Sequence, residues 1–228
     1  MGEMVEFKSN GDKGSGYLAK ADAGAGLGLL VIQEWWGLVP HIKDVCDRFA
    51  AEGFTALAPD LYRGESTTEP DEAGKLMMAL NLARAGRDLS GAIDFLLASD
   101  AVRGDGIGVV GFCMGGGLAL VVGTQRPDAV QAVVPFYGVI PWPSAQPDWS
   151  KLEAPVHGHF AALDGFFTPD KVRELETTLR NEGTEAELQI YDGVDHAFFN
   201  DTRPDVYDET AAGIAWTRTL EFLRAKLG

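Results

Sequence analysis

Cys113 lies in "GIGVVGFCMGGGLAL", between two apolar runs and among the glycines at 111, 115, 116 and 117. Gly111-Phe112-Cys113-Met114-Gly115 has the G-x-nucleophile-x-G form of a sharp strand-to-helix turn, with cysteine in the place more often held by serine. Glycines two residues before and after the nucleophile remove side chains that would collide across that turn. A helix starting near Met114 would aim unpaired N–H groups and its positive dipole end at the sulfur, which favours thiolate. The same N–H groups could hold a developing oxyanion. The alternative is a glycine-rich packing turn around an inert thiol. The strand before the motif and the helix after it argue against that alternative.

A thiol nucleophile needs a base, and the chain has four histidines: His41, His157, His159 and His196. Around such an elbow the chain order is nucleophile, acid, histidine. His196, in "YDGVDHAFF", follows a further strand, helix and strand, at the sheet end where ligands bind in open α/β sheets. His157 and His159 lie in an apolar strand and read as core or near-site residues, and His41, at a helix start, stays a minor candidate. The expected acid is Asp164 in "GHFAALDGFFTP", whose carboxylate would fix the tautomer of His196 and stabilise its imidazolium. Asp192 and Asp195 are rivals by proximity, but they share the loop of the histidine and are less suited to reach its far nitrogen. A second oxyanion donor is expected from "QEWWG", with the Trp35 N–H as the candidate. Glu34 ends an apolar strand, where a charge is costly unless partnered, and it reads either as an exposed strand-end carboxylate or as a carboxylate facing Cys113.

These residues need a frame. "MVEFKS" and "GSGYLAKA" around "NGDKG" predict a β-hairpin. Strands are expected at 27–34, 54–59, 106–111, 130–138, 155–162 and 187–192. Helices are expected at 40–52, 69–99 (in two pieces broken around Ala85–Gly86), 114–126, 170–182 and 205–227. Alternation of strand and helix implies a mostly parallel central sheet flanked by helices on both faces, in a single domain over residues 1–228. "VIPWPSAQPDWS" reads as a long loop.

The balance of 19 Lys and Arg against 34 Asp and Glu gives a formal charge of −15. That charge argues against a nucleic-acid partner and against anionic membranes. Two cysteines make no disulfide framework, and Cys46 reads as a packing residue in a helix. The segment "MGEMVEFKSNGDKG" has no basic region followed by a long apolar run, so a cytoplasmic setting is expected.

"QEWWGL", "APDLYRG", "GFCMGGGLAL" and "DGVDHAFF", in this order across nearly the whole chain, resemble the dienelactone hydrolases (carboxymethylenebutenolidases). That resemblance implies an α/β-hydrolase fold, no cofactor, and a small-molecule lactone or ester substrate. It implies Cys113 as nucleophile, His196 as base, Asp164 as acid, and Glu34 bonded to the resting thiol and helping to deprotonate it. Trp35 and Met114 N–H groups would form the oxyanion hole. Family members acting on dienelactone hold its carboxylate with arginines. The position four residues after the histidine is Asn200 here, and residues 64–83 hold Lys75 but no arginine. Arg84, Arg87 and Arg203 are candidate substitutes, while Arg63 reads as a structural ion-pair partner. Trp35, Trp36, Phe136, Tyr137, Trp142 and Phe198 are expected near the loops, with Trp36, Tyr137 and Phe198 as candidate substrate contacts. A broad carboxylesterase or thioesterase, or a non-catalytic ligand-binding relative, are the other readings.

Overall fold

The computed structural model describes residues 1–228 except residues 10, 23, 139 and 141–144. β1 (Glu3–Ser9) and β2 (Asp12–Ala19) pair antiparallel as the expected hairpin. β2 then pairs antiparallel with β4 (Phe54–Pro59), and the parallel part of the sheet begins there. It continues through β3 (Gly26–Ile32), β5 (Val102–Phe112), β6 (Val130–Phe136), β7 (Val156–Ala161) and β8 (Ala186–Tyr191). The order across the eight strands is β1-β2-β4-β3-β5-β6-β7-β8.

Period-two side-chain alternation sends β3 in two directions. Leu30 and Ile32 join the core that holds Leu89 and Leu96 of α3 (Leu82–Leu97), Leu118 of α4 (Met114–Gln125) and Val172 of α5 (Pro169–Asn181). Leu29 and Val31 join the opposite core, with Ile42 and Phe49 of α1 (Pro40–Ala51) and Leu220 and Leu223 of α6 (Glu209–Leu227). Every residue of β3 is buried, which explains a continuous apolar run rather than an alternating one.

Two expected boundaries shift for reasons of capping. The break in 69–99 falls at Leu80–Asn81, between α2 (Pro70–Ala79) and α3, and not around Ala85–Gly86. The Asn81 side chain accepts the Arg84 N–H at 2.9 Å and so starts a new helix. The closing helix starts at Glu209 and not at 205, because the Asp208 side chain accepts the Ala211 N–H at 2.8 Å. Arg63 is the structural ion-pair partner its setting suggests. It meets Asp12 at 3.0 Å and Asp88 at 3.4 Å, tying the hairpin to α3. Among the described residues no helix is long and apolar enough to cross a membrane.

The chain leaves β3 toward one sheet edge, through β4, and returns to the other side of β3 at β5. That reversal opens a crevice beyond the C-terminal ends of β3 and β5, the usual ligand position in such sheets. Glu34 and Trp35 follow β3, Cys113 follows β5, Tyr137 follows β6, Asp164 follows β7 and His196 follows β8.

Candidate active site

Cys113 has φ 55° and ψ −120°, a conformation that costs on the order of 1–3 kcal/mol and persists only where its surroundings enforce it. Here they do. The Cys113 N–H donates to the Phe136 carbonyl at 3.0 Å, and the Cys113 carbonyl accepts the Gly116 N–H at 2.9 Å. A Cβ on Gly111 would drive into the Gly115 carbonyl, and a Cβ on Gly115 into the Ile32 carbonyl. The glycines thus let β5, α4 and β3 approach closely enough to hold the bend. The Met114 and Trp35 N–H groups find no acceptor among the described residues, so both are available to a ligand oxygen.

His196 Nδ1 lies 2.7 Å from Asp164 Oδ2. The other oxygen, Asp164 Oδ1, accepts the Phe166 N–H at 2.8 Å and the Phe167 N–H at 3.1 Å, so three donors orient the carboxylate. The rival Asp195 is turned aside: its Oδ1 accepts the His196 backbone N–H at 2.6 Å. Burial disfavours the charge on His196, but the hydrogen bond to Asp164 and the interaction with Cys113 outweigh it. The imidazole pKa is raised to about 10. Burial also opposes ionisation of Asp164, yet the His196 contact and the two backbone donors hold its pKa below the ordinary 3.8.

Cys113 and His196 face one cavity of about 340 Å³, whose walls include Trp35, Trp36, Met77, Phe166 and Arg203. Arg203 sits 5.7 Å above the Trp36 ring and pairs with Asp205 at 3.2 Å. Of the three candidate arginines, Arg203 alone lines this space; Arg87 belongs to a separate groove of about 820 Å³ against β1 and α3. Trp36 borders the cavity as expected, but Tyr137 and Phe198 do not. Both are fully buried behind it, with the Tyr137 ring 5.1 Å from the His196 ring and 5.6 Å from that of Phe198. Tyr137 backs the histidine, and Phe198 packs behind it against Tyr137 and Tyr191. Trp142 lies outside the described residues.

Glu34 is 1% exposed, and its environment differs from the one the resemblance implies. One oxygen accepts the Asn200 side-chain amide at 2.8 Å, the other the Tyr137 hydroxyl at 3.4 Å. No hydrogen bond joins it to Cys113 among the described residues, so the implied contact with the resting thiol is corrected. The carboxylate is taken up by Asn200 and Tyr137 instead.

His159 is a core residue, bonded through its two ring nitrogens to Tyr191 at 2.9 Å and Thr219 at 3.0 Å, and burial pushes its pKa well down. His157 lies 3.6 Å from Glu187, and buried His41 lies 3.3 Å from Asp201. None of these three borders the cavity. Sequence reasoning did not single out Phe166, Phe167 or Met77 as walls. The signal for the first two was present: an adjacent aromatic pair that follows Asp164 and Gly165, in a loop with no strand or helix to bury it. Phe166 is 69% exposed, which marks it as a rim residue and not core.

The strand order and the elbow define an α/β-hydrolase fold. The model of the Dienelactone hydrolase family matches residues 15–227, and the chain belongs to that family of hydrolases. "Protein usf" of Aquifex pyrophilus is 39% identical over 238 residues, covering 100% of both chains. A relative in Aquifex aeolicus, named "Putative carboxymethylenebutenolidase", is 36% identical with 100% of both chains covered. Among solved structures, a dienelactone hydrolase-like promiscuous phosphotriesterase from metagenomic libraries shares the fold. Its TM-score is 0.88 at 22% identity, covering 100% of this chain and 99% of that one.

Proposed function

We propose that the protein cleaves a lactone or carboxylic ester through a thioester on Cys113. The observation that carries this reading is convergence: a strained, half-buried thiol and an Asp164-supported imidazole border one cavity. With Nδ1 engaged by Asp164, Nε2 is the nitrogen left to exchange protons. His196 takes the thiol proton, and sulfur attacks the carbonyl carbon to form the S–C bond. The oxyanion of the tetrahedral intermediate is held by the Trp35 and Met114 N–H groups. The C–O bond then breaks, and the leaving oxygen receives the proton from His196. In the second half, His196 takes a proton from water, hydroxide adds to the thioester, the S–C bond breaks with release of the carboxylic acid, and the His196 proton passes to the leaving sulfur to restore the thiol. A thiolate expels an enolate or alkoxide readily but an amine poorly, so esters and lactones suit it and peptides do not.

The apolar walls support a broad range of esters, with Arg203 as the cation nearest an acidic substituent. Residues 1–228 would act as one unit, and a cytoplasmic setting would keep the nucleophilic thiol reduced. The test is intact mass spectrometry after brief exposure to a p-nitrophenyl ester. One acyl adduct should form on Cys113, and Cys113→Ala should lose both adduct and turnover. Full turnover by the alanine variant would overturn the assignment. A panel of lactones run beside the esters separates a lactonase from a general carboxylesterase.

A further inference from the structure

Among the described residues seven large apolar side chains stand exposed, and four of them are walls of the Cys113 cavity or close neighbours of its walls. Phe166 is a wall residue, and its ring lies 5.6 Å from that of His196. Leu163, 62% exposed, precedes Asp164, and its N–H donates at 3.0 Å to the carbonyl of Val194, next to the wall residue Asp195. Met78, 70% exposed, stands one helical turn beyond Gly74, which lies against Trp35, and beside the wall residue Met77. Tyr207 follows the wall residue Val206. Exposed apolar residues scattered singly need no explanation; four drawn from three separate segments to one opening do.

The cavity, at about 340 Å³, is small for a ligand site, where roughly 300–1,000 Å³ is usual. It holds the reacting carbonyl with short substituents. A longer chain has to leave by the mouth, and the surface it meets there is this collar. Two of the four residues, Phe166 and Leu163, flank the His196–Asp164 pair. His196 returns its proton to the leaving oxygen, so a chain on this side belongs to the alcohol half of the ester and not to the acyl half kept on sulfur. Asp195 and Arg203, the carboxylate and the guanidinium of the wall, oppose each other in sign, and neither calls for a charge on that chain.

Resting on the hydrolase reading above, we propose that the substrate is a neutral ester of a straight-chain alcohol, whose tail runs out of the cavity over a collar formed by Met78, Leu163, Phe166 and Tyr207. Cys113 Sγ bonds to the carbonyl carbon and the C–O bond breaks. The leaving alkoxide takes the proton from His196, and the alcohol departs along the collar while the acyl group stays on sulfur. Full burial of one methylene is worth about fourfold in binding. A chain covered by the collar on one side and by water on the other gains about twofold per methylene.

The experiment is a series of alkyl acetates, from ethyl to octyl, with kcat/KM read relative to ethyl acetate on the same protein so that a general loss of activity cancels. In the wild type it should rise about twofold per methylene from butyl to octyl, about sixteenfold over the four. In the triple variant Met78→Ser, Leu163→Ser, Tyr207→Ser the series should be nearly level; should that variant not fold, Met78→Ser alone should lower the slope. A second series uses the straight-chain alcohols as ligands: the concentration that half-protects Cys113 from iodoacetamide should fall about twofold per methylene from butanol to octanol in the wild type and hardly at all in the variant. A level wild-type series, or a wild-type slope kept by the variant, overturns the proposal. So does a wild-type dimer in sedimentation that the triple variant abolishes, since the collar would then cover a second copy. Protection is read without turnover, so loss of the hydrolase reading, seen as no hydrolysis of any acetate, leaves the alcohol series to decide the collar.

Discussion

At the scale of single residues, the informative fact is how few of the buried polar groups near the cavity are left to chance. Asp164 has three donors, Glu34 two and Asn200 a fixed orientation. Such satisfied networks hold side chains in one rotamer, which a proton-transfer geometry needs. The His196–Asp164 pair also ties stability to pH. The pKa of His196 is raised from its ordinary 6.5 to about 10, so its contribution is complete below about 6.5 and is lost as pH rises through about 10. Asp164 is depressed below 3.8, so its contribution is present above that value and is lost as pH falls through the folded pKa. Thermal melts should therefore show a stability plateau between about pH 4 and 6.5 with a long alkaline decline, and Asp164→Asn should flatten that decline. A melting temperature of the wild type that does not vary from pH 6 to pH 10 would contradict the pairing.

At the scale of elements, the elbow works because three backbones meet where no Cβ fits. Gly111→Ala should destabilise the fold by about 3 kcal/mol, since the neighbouring atoms are backbone carbonyl and cannot rotate away. Gly213 is the control. It lies inside α6 with nothing within 4 Å of an added Cβ, so Gly213→Ala should stabilise by about 0.5–1 kcal/mol. Denaturant midpoints of the two variants decide whether the tight approach or the helix glycine is misread. The same logic explains which glycine was misjudged from sequence. Gly86 looks like a break but continues α3 against Gln125, because capping by Asn81 sets the start of that helix and tertiary packing carries it onward.

At the scale of the whole molecule, the charge of −15 acts on any substrate before contact. An anionic ester is repelled at a distance, and the repulsion is screened over about 8–10 Å at moderate salt. kcat/KM for an anionic ester should accordingly rise with ionic strength, while that for a neutral ester of the same leaving group should hardly change. Steady-state kinetics with the two esters across a salt series measures this. An equal salt response of both would show that the net charge does not reach the cavity. Arg203 lines the cavity, but it is one cation against a formal charge of −15.

Much of this was readable in the chain. Apolar runs of strand length and helical stretches between them fixed a parallel sheet, because burial on both faces demands that pattern. The spacing of Gly111, Cys113 and Gly115 announced the elbow, since only a side-chain-free turn closes that sharply, and the chain order singled out Asp164 and His196. Tertiary structure alone decided which groups touch. Asn200 is 166 residues from Glu34, and their hydrogen bond exists only because β3 and the loop after β8 end on the same side of one sheet. Likewise Tyr137 became backing for His196, Phe198 packed behind Tyr137, and Phe166 became a wall of the cavity, because the direction of a loop side chain follows from the packing around it and not from any period in the sequence.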